Sequence, residues 1–379
     1  MSNTQPKKPH ILFLFSDTGG GHRSAAEAII EALQIEYNGR VSTEMVDIFK
    51  NHAPLPLNRF PEWYPYMVRI PQIWGLGFRL SDGHPQARFI IDSSWPYVRS
   101  AIQKMIASHP CDLIVSVHPL ANAPFLRALG KDRPPFITVV TDLVSTHALW
   151  YERRADLCLV PTEAAYQRAL KYQLRPEQVK VVGLPVADRF CQPPGNRHQL
   201  RETLNWPQEI PMILLVGGGE GMGPLEKTAH AISEARLPAG LAIVTGRNQK
   251  LKERLEAERW HPHTFIYGFA RNMPELMAAA DILVTKAGPG TISEALNASL
   301  PMILYSHLPG QEDGNITYVT EEGAGIYAPH PDLVVAGIRT WLQQPELLKK
   351  AAEACRRLAR PQAARTIANI LAKAVGLTP

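Results

Sequence analysis

Short runs of branched and aromatic residues alternate along the chain with longer stretches whose apolar positions recur at helical spacing. HILFLFSD, RVSTEMVDIF, CDLIVSVH, PFITVVTD and ADLCLVP are of the first kind and read as strands covered on both faces of a parallel sheet. HRSAAEAIIEALQ and WPYVRSAIQKMIAS are of the second kind, each with one apolar stripe. This strand and helix alternation predicts a doubly wound α/β sheet. A Pro- and Gly-rich stretch, GLPVADRFCQPPGNRHQ, interrupts it before a second series of strands, MILLV, LAIVTG, HTFIYGF, DILVTKAG and PMILYS. Helices are expected after Pro224 and over TISEALNA. The pattern predicts an N-terminal Rossmann-like domain over 1–190, a linker near 188–205 and a C-terminal Rossmann-like domain over 200–345. Helices in 346–379, ending in RPQAARTIANILAKAV, are expected to pack back on the N-terminal domain.

Residues 53–98 fit neither series. Trp63, Tyr64, Tyr66, Trp74 and Phe78 lie close together there, with Arg59, Arg69, Arg79 and Arg88 interleaved. An insertion of this length without a strong strand pattern is functional, or it is a subdomain whose aromatics pack internally.

Composition narrows the class. At 379 residues the chain is long enough for two cores. Its 45% hydrophobic and 20% charged residues exclude a disordered or coiled-coil chain. The apolar run Ile11 to Phe15 stops at Ser16 and Asp17, too short for a signal-peptide core or a membrane span. No other stretch approaches about 18 uninterrupted apolar residues, so any bilayer contact is expected to be peripheral. Cys111, Cys158, Cys191 and Cys355 are scattered with no C-x-x-C pair, which points to reduced thiols in a cytosolic protein rather than to disulfides or zinc. A net charge of +5 suits anionic membranes or nucleotides. Nucleic acid is not expected, because there is no Lys/Arg run and no RNA-binding aromatic signature.

Three glycine-rich loops carry the candidate chemistry. In Ser16-Asp17-Thr18-Gly19-Gly20-Gly21-His22-Arg23 a strand ends and a helix opens, a place where backbone N–H groups favour an electron-rich group. His22 at that helix mouth is a candidate general base; the alternative is that it merely caps the helix or bonds a nearby carbonyl. A competing pattern, Gly19-x-Gly21-x-x-Ser24 with Asp47 further on, is a degenerate dinucleotide fingerprint lacking its third glycine. The second loop, Gly217 to Gly223 followed by Pro224, is a phosphate loop or only a tight turn. It is not a Walker A loop, since no Gly-Lys-Ser/Thr follows. In the third, Thr285 to Glu294, the glycines and Thr291 put donors at a helix N-terminus for a diphosphate. Glu294, one turn in, is placed to accept from a ribose diol or to favour the helix dipole. Gln311 and Glu312 in the next loop offer the mixed donors and acceptors that sugar hydroxyls require.

Taken in order, SDTGGGHRSAAEAI, VVTDLVSTHALWY, LCLVPTEAA, GLPV, VGGGEGMGP, VTGRN, YGF, TKAGPGTISEA and PGQEDGN resemble the monogalactosyldiacylglycerol synthase and processive diacylglycerol glucosyltransferase family. They are more distantly similar to the enzyme that adds N-acetylglucosamine to lipid I. The resemblance implies a GT-B fold, two Rossmann-like doubly wound domains facing across a cleft. It implies inverting transfer of a hexose, galactose before glucose, from a UDP-sugar to diacylglycerol, with no metal and no cofactor beyond the donor. The donor set it implies is Gly219, Arg247, Gly268, Phe269, Gly290, Thr291, Glu294, Gln311 and Glu312. The acceptor side would hold His22 and Asp142 as catalytic residues, with His147 and Trp150 in the same loop as Asp142; apart from the resemblance, His118 and Asp142, both at strand ends of the same half, are the next candidates for the base. The implied location is cytoplasmic and peripheral on the inner face of a membrane, with anionic lipids as partners and the aromatic and basic insertion at the interface. The alternatives are a UDP-GlcNAc transferase acting on a lipid-linked cell-wall precursor and an NAD-binding α/β protein.

Overall fold

A computed structural model describes residues 8–50, 52–68, 70–193, 195–219, 221, 223–261 and 263–378. Two compact units are present, one of Met1–Asp188, Pro309–Gln311 and Gln362–Pro379, the other of Arg189–Leu308 and Glu312–Pro361.

The first unit holds strands β1 (His10–Phe15), β2 (Ser42–Asp47), β3 (Leu113–Ser116), β4 (Phe136–Val139), β5 (Leu157–Val160) and β6 (Val179–Val181). They form one sheet in the order β2-β1-β3-β4-β5-β6, every pair parallel. Its helices are α1 (Gly21–Tyr37), α2 (Phe60–Met67), α3 (Pro71–Ser81), α4 (His84–Ser108), α5 (Pro119–Leu129) and α6 (Glu163–Lys171). The two-residue period of a strand sorts β1 into two core layers. Ile11, Phe13 and Phe15 pack with Ile29 and Leu33 of α1 and with Ile367 and Leu371 near the C-terminus. Leu12 and Leu14 face the other way, onto Ile102 and Met105 of α4 and Phe125 of α5. Each such fully buried side chain is worth roughly 1.5–3 kcal/mol of transfer free energy.

The expected helix over WPYVRSAIQKMIAS begins well before Trp95, since α4 runs from His84 with Pro96 inside it. A proline there removes one ladder hydrogen bond, but Pro96 lies on the exposed side, where its ring disturbs no core. The insertion 53–98 is therefore helical, made of α2, α3 and the first half of α4. Arg69 lies outside the described residues.

The second unit holds β7 (Met212–Val216), β8 (Gly240–Val244), β9 (Thr264–Tyr267), β10 (Ile282–Lys286), β11 (Met302–Ser306) and β12 (Gly325–Tyr327). Their order is β12-β11-β10-β7-β8-β9, again all parallel. Helices α7 (Arg197–Thr203), α8 (Leu225–Glu234), α9 (Gln249–Glu256), α10 (Met273–Ala279), α11 (Pro289–Asn297), α12 (Asp313–Glu321), α13 (Pro331–Gln343) and α14 (Pro345–Leu358) follow. The C-terminal stretch divides. α14 packs on α11 and α13 and puts Ala351 into the second core with Trp341. Only the last helix, α15 (Ala363–Ala374), joins the first unit. Its alanines meet those of α1, close enough for the Tyr37 hydroxyl to donate to Asn369 at 2.8 Å.

Each sheet reverses its direction of winding once, between β1 and β3 and between β7 and β10. In open parallel sheets the crevice for a ligand opens at the carboxyl ends of the strands flanking that reversal.

Candidate functional site

In the first unit the loop after β1 turns through Gly19 and Gly20, both at φ 78°, a left-handed conformation open to glycine at little cost. A side chain at Gly19 would also meet the ring of Tyr64, which lies 3.2 Å from the position of an added Cβ. His22 follows in the first turn of α1. The residue at the N-cap is Gly20, which has no side chain to bond the helix end, and the His22 imidazole points instead to β4, with Nδ1 2.7 Å from Thr141 Oγ1. The ring therefore does not cap its helix, but it does bond a nearby carbonyl, that of Val117. The ring lies edge-on to His118 at 4.6 Å and 6.0 Å from Trp150. Burial lowers its pKa to about 4, outweighing the opposing effect of the Val117 carbonyl, so the imidazole is neutral at neutral pH and able to accept a proton.

His118, by contrast, is spent. It caps α5, Nδ1 accepting from the Leu120 N–H at 3.3 Å while Nε2 lies 3.2 Å from Thr18 Oγ1. A ring nitrogen that accepts from an amide carries no proton, so the proton sits on Nε2 and both nitrogens have fixed partners. Burial and the neighbouring His22 hold its pKa well below the ordinary value. His147 repeats the pattern, accepting from the Leu149 N–H at 3.1 Å and meeting Ser81 Oγ at 3.1 Å.

Asp142 is buried, with Oδ2 accepting from the Trp150 indole N–H at 2.6 Å and Oδ1 from the Gln311 amide at 3.1 Å. The Gln311 carbonyl oxygen is buried with no hydrogen-bond partner among the described residues, an acceptor open to a ligand hydroxyl. The structure thus brings His22, Asp142 and Gln311 around Trp150. Asp47 cannot serve a dinucleotide ribose as the fingerprint requires. Its oxygens accept from the backbone N–H groups of Asp17, Phe49 and Lys50 at 3.0, 2.8 and 3.0 Å.

In the second unit the loops after β7 and β8 nearly touch. A Cβ at Gly246 would lie 2.4 Å from the Gly219 carbonyl oxygen, and the Arg247 N–H donates to that oxygen at 2.8 Å. Much of the glycine surplus thus serves close approach of two backbones. Glu220 and Met222 lie outside the described residues. Lys286, at the end of β10, pairs with Glu312 at 2.8 Å and runs beside Gly218 and Gly288. Glu312 is buried, and its second oxygen accepts from the Leu308 N–H at 2.7 Å, so both carboxylate oxygens are engaged.

Helix α11 starts after Gly288 with Pro289 in its first turn, and Ile292 is the residue whose N–H bonds back to Gly288, at 3.0 Å. The amides of Gly290 and Thr291 stand ahead of that bond at the positive end of the helix, and a side chain at Gly290 would meet nothing within 4 Å. Glu294, one turn in, is half-buried; desolvation pushes its pKa up to about 7, with Arg189 pulling it down. The Arg247 guanidinium lies 5.0 Å over the ring of Phe269, both exposed, and Gly268 packs against the stem of Lys252.

Sequence reasoning missed Thr141 and Lys286. Lys286 ends a strand beside the reversal of its sheet and Thr141 follows the next strand but one from β1, a signal that needs the strand order to be read. Among the described residues one group, Glu226, His230 and Glu258, brings three ligand-type atoms within 4.8 Å of one another. Glu226 is already paired with Arg254 at 2.8 Å and His230 stacks on Trp260.

Comparison with known proteins follows this division of the chain. Residues 22–186 match the family described as monogalactosyldiacylglycerol (MGDG) synthase, and residues 212–368 match the glycosyltransferase family 28 C-terminal domain. Monogalactosyldiacylglycerol synthase 2, chloroplastic, of Arabidopsis thaliana is 36% identical over 366 residues, covering 93% of this chain and 78% of that protein. Monogalactosyldiacylglycerol synthase 1, chloroplastic, of the same plant is 35% identical over 373 residues, covering 95% and 69%. Among solved structures, Acinetobacter baumannii MurG has a TM-score of 0.61 at 17% identity over 96% of this chain and 99% of its own. S. aureus MnaA with UDP has a TM-score of 0.65 at 15% identity over 98% of both chains. At these identities the structures share the fold, that of GT-B glycosyltransferases.

Proposed function

We infer that this chain, which belongs to the monogalactosyldiacylglycerol synthase family, transfers galactose from UDP-galactose to the free hydroxyl of diacylglycerol at a membrane surface. The observation that carries the reading is the neutral His22 imidazole held by Thr141 beside Asp142 and Trp150 at the carboxyl end of the first sheet. His22 takes the proton of the acceptor hydroxyl. The freed oxygen attacks the anomeric carbon as its bond to the β-phosphate oxygen breaks, so the product is a β-galactoside and UDP leaves. Asp142 orients the Trp150 and Gln311 donors around that centre. On the donor side the amides of Gly290 and Thr291 receive the diphosphate, with Gly219 and Arg247 beside it, and these fixed donors stabilise the departing charge without a metal. Gly268 and Phe269 serve the uracil and Glu294 the ribose. Glu312, locked to Lys286, serves the hexose as a fixed acceptor together with Gln311.

Membrane contact is assigned to the insertion. Ile73, Leu76 and Leu80, one face of α3 at helical spacing, are 65%, 60% and 67% exposed, and Trp63, Tyr66 and Phe89 are exposed nearby. Tyr64 and Trp74 face inward, stacked edge-on at 5.3 Å, so only part of the aromatic cluster is available to lipid. Arg59, Arg79 and Arg88 are exposed on the same insertion and suit anionic headgroups. No helix among the described residues is long and apolar enough to cross a membrane.

The test is incubation with UDP-galactose, UDP-glucose or UDP-N-acetylglucosamine over diacylglycerol vesicles, followed by separation of the lipids. Monogalactosyldiacylglycerol is the expected product. Transfer only of N-acetylglucosamine, and only to a lipid-linked precursor, would replace the reading.

Glu294 gives a pH signature to donor binding. Ribose hydroxyls donate best to the carboxylate, so UDP binding pulls the Glu294 pKa below its free value of about 7 and releases a proton. Affinity for UDP should therefore rise with pH up to about 7 and level off above it, and calorimetry in buffers of different ionisation enthalpy should detect the proton. Glu294→Gln should remove the part of the pH dependence set by this carboxylate, leaving that of the UDP terminal phosphate, and weaken binding by about 1 to 3 kcal/mol. A pH-independent wild-type affinity would remove Glu294 from the nucleotide site.

A further inference from the structure

Helix α3 should stabilise a cation at its C-terminus, where the helix dipole is negative. Arg79 is the cation of its last turn, but the residue at its C-cap is Asp82. The carboxylate is mostly buried and held from outside the helix: Oδ1 accepts from the Ala148 N–H at 2.9 Å and from the Tyr172 hydroxyl at 3.4 Å, and Oδ2 pairs with the Arg168 guanidinium. Arg168 in turn donates to the Thr146 carbonyl. Next to it, Ser81 Oγ meets His147 Nε2 at 3.1 Å, and the Phe78 ring stands edge-on to the His147 ring at 4.9 Å. Everything that Ser81 and Asp82 grip outside α3 lies in the 146–151 segment or binds it. That segment ends in Trp150, whose indole donates to Asp142 and whose ring lies 6.0 Å from His22. The opposite face of the same helix exposes Ile73, Leu76 and Leu80.

We propose that Asp82 is a positioning residue that couples docking of α3 on the bilayer to the placement of Trp150 and Asp142 beside His22. The proposal rests on the transferase reading above. An acid at this cap costs the helix, and the bonds that offset it run to the Ala148 N–H, to Tyr172 and to Arg168, which itself holds the Thr146 carbonyl, so the helix and that segment shift together. Insertion of the apolar face fixes α3, and the charge-assisted bonds of Asp82 carry that constraint to the residues around the base. A misplacement of about 1 Å at such a site costs on the order of 100-fold in rate.

Asp82→Asn keeps the shape and removes the charge. Turnover at saturating substrates is measured with diacylglycerol in vesicles and with a short-chain diacylglycerol dispersed below its aggregation limit, alongside vesicle sedimentation, UDP affinity and melting temperature. The expected result is a kcat lowered by about tenfold or more on vesicles and by clearly less on the dispersed acceptor, with sedimentation and UDP affinity near wild type. Ser81→Ala, which removes only the weaker link and leaves the Arg168 pair intact, should move the vesicle kcat the same way by less. Equal losses on both acceptors, an unchanged vesicle kcat, or a loss that tracks weaker sedimentation would each overturn the coupling. A wild-type protein that forms no glycolipid on either acceptor would instead remove the functional reading, and the coupling with it.

Discussion

Replacing His22 with Ala is expected to lower turnover by about 100- to 10,000-fold, the usual contribution of a positioned general base, while UDP affinity stays close to that of wild type. The expectation follows from where the imidazole is held. It belongs to the first unit, whereas Gly290, Thr291 and Glu294 belong to the second, so its loss removes no donor-binding group. The N-cap of α1 is a glycine and the His22 ring bonds Thr141 rather than its own helix, so no cap is lost either. The pH profile gives an independent reading. With a pKa lowered to about 4 by burial, the free imidazole is neutral through the mildly acidic range. The acid limb that His22 sets in kcat/KM should therefore appear far below the ordinary histidine value of 6.5. Any fall in donor affinity near pH 7 belongs to Glu294 and shows in KM. A His22→Ala protein that turns over normally, or one whose loss appears wholly as weaker UDP binding, would move the base elsewhere.

Changing Ile73, Leu76 and Leu80 together to Gln should lower partition onto vesicles by on the order of 100-fold. Each side chain is more than half exposed, and returning about 1 kcal/mol of apolar transfer per residue sums to about 3 kcal/mol, close to two orders of magnitude in binding. The three side chains are not part of either core, so the melting temperature should hold. Glycolipid synthesis on vesicles should fall with binding, and synthesis on a dispersed short-chain acceptor should not. Salt should release the wild-type protein only in part, because screening weakens Arg59, Arg79 and Arg88 at the headgroups and leaves the apolar face in place. Sedimentation of the triple variant at wild-type levels would show that the membrane surface is elsewhere.

The two sheets were legible because their strands are buried on both faces, which leaves runs such as ILFLF and MILLV without polar interruption. The last strand of each sheet was not: VKV and GIY are too short to show a period, and they pair through the backbone. Pro96 concealed the first half of α4, because a proline normally marks a helix boundary and here sits on an exposed side. The division of the C-terminus between α14 and α15 depended on which core each apolar stripe completes, and both stripes look alike in sequence. Of the site, the residues on glycine loops were visible as motifs. What they bond to was not. That Asp47 is consumed by backbone amides, that Glu312 is paired with Lys286 and that His118 has both nitrogens committed are consequences of strand order and register. Asp82 carried no signal at all, since an Asp beside a glycine at the end of an apolar stretch reads as an ordinary turn.

The central claim is that a base on the first unit activates the lipid hydroxyl for direct displacement of UDP from galactose. It is tested most directly by the anomeric configuration of the glycolipid made from UDP-galactose and diacylglycerol, read from the proton coupling at the anomeric carbon. Single displacement of the α-linked nucleotide predicts a β-galactosyl diacylglycerol, formed by the wild type and nearly absent with His22→Ala. An α-linked product, or free galactose with no glycolipid, would contradict the account.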